Sequence, residues 1–216
     1  AEILYHRLVP ADVLPAAFRD RLARFQRGDG TVKVDWALRA PIPWTDPDLR
    51  RAGTAHIADS LDELTLTAAE LACGLVPRAP FVVLGQMTTA DPSRSPAGTE
   101  SAWADTHVPS TVAGAAPGRI TGRWDDADRD AIVERIEERV EAHAPGFRDL
   151  VLERHVMTPD GLAAANPSLV GGDIGGGTHQ LHQQLVFRPV PGWSPPTTPV
   201  RRLYLGSSSA HPGGGV

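Results

Sequence analysis

Thr31-Val32-Lys33-Val34-Asp35-Trp36-Ala37-Leu38 alternates along its length. In an extended strand, successive side chains point to opposite faces. Val32, Val34, Trp36 and Leu38 therefore share one face, and Thr31, Lys33, Asp35 and Ala37 share the other. This is the clearest strand in the chain.

Outward from this strand, the pattern is mixed. Upstream, Leu14, Phe18, Leu22 and Phe25 recur at helical spacing, with Pro15 suited to a first helical turn and Gly28-Asp29-Gly30 breaking the chain. Ile3 to Val9 is a short apolar stretch that reads as a strand end or a connecting segment. Downstream, His56-Ile57-Ala58 is a candidate short strand. Ser60-Leu61-Asp62-Glu63 fits a helix N-cap, and Gly74 fits the stop after Cys73. Pro80 to Met87 and Ser101 to Val108 read as strands joined in a hairpin across the turn-rich Asp91–Gly98. Asp126 to His143 is the best helix, with Ile132, Val133, Ile136 and Val140 in one stripe and Pro145-Gly146 ending it. Its acids Glu134, Glu137, Glu138 and Glu141 alternate with Arg135 and Arg139, the pattern of a solvated face. Phe147 to Met157 reads as another strand, and Pro159 to Pro167 as a short helix. Strands and helices in mixed order, without serial βαβ units, predict an α+β fold with a mixed, largely antiparallel sheet and packed helices.

Composition narrows the function. Of 216 residues, 41% are hydrophobic, enough for an ordinary core. The net charge of −5 gives no footprint for nucleic acid. Cys73 is the only cysteine, which excludes an internal disulfide and a thiolate metal cluster and leaves a reducing, cytoplasmic location as the default. Peripheral association with a membrane stays open. No apolar run approaches the ~20 residues of a membrane helix, so no transmembrane segment is expected. The chain lacks an initiator methionine and stops in a glycine run, from which we expect a piece of a longer polypeptide; processing would explain the start equally well.

Two glycine-rich loops stand out: Gly171-Gly172-Asp173-Ile174-Gly175-Gly176-Gly177, and the stretch that closes the chain, Leu203-Tyr204-Leu205-Gly206-Ser207-Ser208-Ser209-Ala210-His211-Pro212-Gly213-Gly214-Gly215-Val216. The latter reads as a buried strand followed by a turn with little side-chain bulk. Its backbone N–H groups can approach a ligand closely. Neither loop completes G-x-G-x-x-G or a P-loop, so spacing alone favours tight turns. His179-x-x-His182 is the only close histidine pair. Glutamines surround it, with no carboxylate or cysteine at ligand spacing, so no metal is expected. No G-x-S-x-G elbow supports a serine hydrolase. Trp36 and Trp103 read as core. Lys33, the only lysine, sits on the polar face of its strand.

Leu203–Val216 resembles the C-terminal flavin-contacting motif of the phytoene desaturase-like FAD-dependent oxidoreductases, within the flavin amine oxidase group. Further pieces resemble the same family in order: Thr31–Leu38, Pro145–Asp149 followed by His155–Pro159, Gly171–Ile174, and Arg188-Pro189 leading to Thr198-Pro199. The resemblance implies a substrate domain over 11–200, whose sheet roofs a cavity above the flavin ring. Residues 1–10 would end an FAD-domain segment, and 201–216 would be a strand and glycine loop returning to it. It implies FAD contact by Gly206, Ser207, Ser208, Gly213, Gly214 and Gly215, a catalytic Lys33 beside flavin N5, and substrate contact by His179 and Gln180. The intact enzyme would oxidise or isomerise a rather apolar small molecule, and these residues alone would bind FAD weakly and be inactive. The rival expectation is a non-catalytic small-molecule binding module of the same fold.

Overall fold

The alternating stretch forms β1 (Gly30–Leu38), with Val32, Val34, Trp36 and Leu38 buried. It sits in a five-stranded sheet with β2 (Thr54–Ile57), β3 (Val82–Gln86), β4 (Glu100–Val108) and β5 (Val151–Met157), in the order β2-β3-β4-β1-β5. The pairings β2–β3, β3–β4 and β1–β5 are antiparallel. The expected α+β fold with a largely antiparallel sheet is therefore found. The computed structural model of the chain describes residues 1–113, 120–193 and 197–214.

The chain divides into two compact units, Thr31–Asp160 and a second made of Ala1–Gly30 with Gly161–Val216. We call them the sheet unit and the loop unit. Besides the sheet, the sheet unit contains α2 (Leu61–Ala72), α3 (Met87–Ala90), α4 (Asp126–His143) and α5 (Phe147–Leu150). The loop unit contains α1 (Ala16–Leu22), and α6 (Pro159–Ala165) carries the chain across the division.

One core organises the sheet unit. The Ile132, Val133, Ile136 and Val140 stripe of α4 joins the buried face of β1 and residues such as Leu84 and Ala104. Each fully buried aliphatic side chain there contributes roughly 1.5–3 kcal/mol relative to exposure. The caps of α2 are those expected. Ser60 Oγ accepts from Glu63 N at 3.1 Å, and Gly74 leaves α2 at φ +73°. Asp125 accepts from Asp128 N at 3.1 Å and starts α4.

The acids of α4 are not uniformly solvated. Glu137 is 4% exposed: it accepts from Trp36 Nε1 at 2.9 Å, and Arg154 Nε lies 3.2 Å away. Helical periodicity carries Glu137 to the edge of the apolar stripe, where the one indole N–H in reach needs an acceptor. Glu141 accepts from Gly146 N at 2.7 Å and Arg148 N at 2.9 Å. That carboxylate caps a short helical turn, α5, where a continuous strand was expected from Phe147; the strand begins at Val151. Trp103 also departs from expectation. It is half-buried on the opposite sheet face, its indole lying over Gly85, where no Cβ obstructs it.

The loop unit has its own core of Tyr5, Leu14, Phe18, Leu22, Val190, Leu205 and Ala210. Phe18 meets Tyr5 and Trp193 edge-on, at ring centroid separations of 4.8 and 5.5 Å. Most of Ile3–Val9 is helical rather than extended: Leu4–Leu8 form a wide turn closed by Val9 N donating to Leu4 O at 2.9 Å, with Tyr5 tucked inward and Val9 itself extended. Leu203-Tyr204-Leu205 is not a buried strand. Among the described residues its only ladder contact is the single bridge of Tyr204 with Thr197, and Tyr204 is 64% exposed. Of these three residues only Leu205 is buried.

Candidate functional site

The two glycine-rich loops meet in the loop unit. Asp173 stands between the first glycine pair and the turn Gly175–Gly177, and its carboxylate is buried. Its Oδ1 accepts from Gly175 N at 2.8 Å, and its Oδ2 accepts from Gly177 N and Gly28 N, both at 2.7 Å. A carboxylate holding several backbone N–H groups makes strong, charge-assisted bonds. On the other side of the turn, the fully buried Arg188 donates from Nη2 to Gly177 O at 2.8 Å and to Gly175 O at 3.2 Å, and from Nη1 to Gln184 Oε1 at 3.0 Å. Burial lowers the Arg188 pKa from its ordinary value, and the nearby Asp173 charge acts in the opposite direction. Sequence reasoning quoted Asp173 and Arg188 without giving them a role. The available signal was an acid set among glycines whose amides need acceptors.

The terminal loop rests on this turn. Gly176 has φ +67°, and a Cβ there would stand 2.5 Å from Ser208 Oγ and 2.8 Å from Ser209 N. Gly177 has φ +124°, and its Cβ would meet Phe25 Cζ at 2.5 Å and Arg188 Nη2 at 2.8 Å. Glycine is needed at both positions, for backbone conformation and for space. Ala210 N closes the terminal loop onto Ser207 O at 2.8 Å, and Leu185 N donates to Pro212 O at 3.1 Å. Beside the contact lies a cavity of about 310 Å³, lined by Ser207, Ser208, Ser209, Gly176 and Asp173 together with apolar residues such as Leu4.

Of the expected cofactor contacts, Ser207 and Ser208 line this cavity. Gly206 is exposed, with open space where a side chain would go, and Gly213 and Gly214 are half-buried. Gly215 lies outside the described residues. His179 is exposed beside both loops: a Cβ on Gly175 would lie 2.5 Å from its Nε2, and one on Gly214 3.4 Å from its Cε1. Gln180 is exposed, its N–H donating to Thr178 Oγ1 at 3.4 Å. His182 Nε2 lies 3.0 Å from Gln26 Oε1. Among the described residues no group of three or more His, Cys, Asp or Glu side chains is arranged to hold a metal.

Lys33 belongs to the sheet unit. It projects from the face opposite the core, half-buried, and forms an ion pair with Asp35 two residues along the same face. The register sets Lys33 opposite Met157 and Asp35 opposite His155. Asp105 is half-buried on the same face. Burial raises its carboxyl pKa above the ordinary value, partly offset by His107, Lys33 and His56. A second concavity of about 570 Å³ lies at the β1–β5 end of the sheet, lined by Asp35, Ala37, Arg94, Leu152 and His155 among others. Among the described residues, no helix is long and apolar enough to cross a membrane.

No family model matches the chain. Over 226 aligned residues it is 31% identical to proteins called pyridine nucleotide-disulfide oxidoreductase domain-containing protein 2 from Rattus norvegicus and from Mus musculus. The alignments cover 100% of this chain and 38% of each relative, so the chain spans well under half the length of the curated relatives it matches. A solved oxidoreductase from Methanosarcina mazei overlays 97% of this chain and 35% of its own at a TM-score of 0.47 and 16% identity.

Proposed function

We propose that this chain is part of an FAD-dependent oxidoreductase of the phytoene desaturase-like kind. In this reading 11–200 form the substrate domain, 1–10 end a segment of the FAD domain, and 201–216 return to it. The observation that carries the reading is sequence similarity along the whole chain to proteins named for a pyridine nucleotide-disulfide oxidoreductase domain. The meeting of the two glycine-rich loops gives it a physical basis.

The residues of the loop unit fit part of a flavin. A cavity of about 310 Å³ is at the lower end of ligand-site sizes. It would hold a portion of FAD and leave the remainder to groups outside these residues. Serine hydroxyls and small-residue backbone at its wall suit a planar group with polar edges. Ser207 and Ser208 line that cavity and would supply hydroxyl and backbone contacts; Gly206, Gly213, Gly214 and Gly215 of the same stretch are proposed as further flavin contacts. FAD, when bound, supplies the capacity to accept hydride from a substrate. His179 and Gln180 are proposed as substrate contacts beside the loop. Lys33 is proposed separately, as a charge on the exposed sheet face that favours negative charge developing nearby and orients a water. The substrate in this reading is a rather apolar small molecule.

The test is the absorption spectrum of the whole gene product, purified and titrated with FAD. Near-stoichiometric bound-flavin bands are expected. A colourless protein that ignores added FAD would overturn the reading and leave a non-catalytic binding module. For Lys33, Lys33→Met should slow flavin reduction or reoxidation, and unchanged rates of both would remove it from the mechanism.

A further inference from the structure

The turn Gly175–Gly177 is gripped on both sides by buried charged groups. Asp173 takes the N–H groups of Gly175 and Gly177, and of Gly28 from another part of the chain. Arg188 takes the carbonyls of the same two turn residues through one nitrogen. Its other terminal nitrogen faces the terminal loop: a Cβ on Gly213 would lie 3.1 Å from Nη1. Arg188 Nε has no hydrogen-bond partner among the described residues. Burying a guanidinium and a carboxylate is costly unless both are well bonded, and an unfilled donor adds to the cost. Glycine alone would permit the turn. The charged pair adds rigidity, because the planar guanidinium fixes the direction of Nη2, which holds both carbonyls, relative to Nη1, which donates to Gln184 Oε1.

We propose that Asp173 and Arg188 are a positioning pair that locks the Gly175–Gly177 turn and thereby fixes the loop from Gly206 to Gly214 in the one conformation that meets the flavin. The last step rests on the flavin reading above; the locking does not. Arg188 does not line the cavity; Asp173 stands at its wall, but its carboxylate is taken up by three backbone N–H groups. Both act through the turn on which Ser208 and Ser209 rest.

Two measurements separate the parts. Hydrogen exchange by mass spectrometry on the 216-residue chain tests the lock without flavin. In Asp173→Asn and Arg188→Met, peptides covering 174–177 and 206–214 should exchange about tenfold faster or more, while β1 and β4 keep their protection. Arg188→Lys should resemble Arg188→Met, since an ammonium lacks the planar fork. Unchanged exchange over 206–214 would overturn the proposal. So would full protection in Arg188→Lys, or loss of protection throughout the chain, which would make the pair a general stabiliser. In the whole gene product, the same variants should weaken FAD binding about tenfold, the equivalent of 1.4 kcal/mol. Loosened loops with unchanged FAD affinity would keep the lock and remove its role toward flavin. A wild type that binds no FAD would fail the flavin reading, leaving the exchange result to judge the lock by itself.

Discussion

The sheet unit and the loop unit solve the same problem by different means. Both must satisfy buried backbone and bury apolar area. The sheet unit does so with ladders and one long helix. Its buried polar groups stand at the ends and edges of regular elements: Gln86 Oε1 accepts from Trp44 Nε1 at 2.8 Å, and Asp128 takes the N–H of Thr121 at 2.8 Å and of Trp124 at 3.0 Å. The loop unit has little regular structure from Gly171 onward. Side chains replace the ladder there: Asp173 and Arg188 grip one turn, and buried Gln183 exchanges two hydrogen bonds of 2.7 Å with the backbone of Gln26. Regular elements tolerate single losses at their edges. A loop held by a few buried charges concentrates its order in those residues, and such order suits a surface that must present its backbone in one shape.

The contrast can be broken by mutation. The largest effect is expected at Ile136→Ala in the sheet unit, roughly 4 kcal/mol from lost burial and the cavity left behind, read as a shift in the urea midpoint. A loss under about 1 kcal/mol would mean that the α4 stripe is not the centre of this core. Next is Gly177→Ala, which forces a Cβ against Phe25 at a backbone angle unfavourable for alanine. About 3 kcal/mol is expected, with faster exchange confined to the loop unit; spread to β1 and β4 would erase the distinction between the units.

Asp128→Ala removes the acceptor for the Thr121 and Trp124 N–H groups in the segment leading into α4 and should cost about 2 kcal/mol at neutral pH. Burial pushes the Asp128 carboxyl up, but the Thr121 and Trp124 N–H groups outweigh it and hold its pKa below 3.8. Its contribution is therefore present above pH 3.8 and lost as pH falls through the depressed folded value. The wild type and Asp128→Ala should converge in acid. A gap that persists well below that range would show that ionisation is not what stabilises. Asp105→Asn should have the smallest effect, and of opposite sign. Burial raises the Asp105 pKa, so its contribution is greatest below pH 3.8 and declines as pH rises through the folded value. The variant should melt slightly higher than wild type at neutral pH; a lower melting temperature would show that the Asp105 charge is used by its cationic neighbours.

The same contrast explains what was legible in the sequence. The alternation of 31–38 and the α4 stripe follow from periodicity, so β1 and α4 were found with their buried faces. Glu137 was misread because charge pattern does not show that Trp36, a hundred residues earlier, supplies an indole donor. Leu203–Leu205 looked like a strand because apolar runs do not state whether a partner strand exists. In the glycine-rich loops, spacing gave the turns and their small residues. It could not give the meeting of Gly176 with Ser208, or the convergence of Asp173 and Arg188 on one turn, because those depend on packing between distant parts of the chain.

The most direct test of the central claim is hydrogen exchange over 206–214 in the whole gene product, with and without saturating FAD. The account predicts that bound FAD slows exchange in this loop. FAD demonstrably bound, with exchange over 206–214 unchanged, would contradict it.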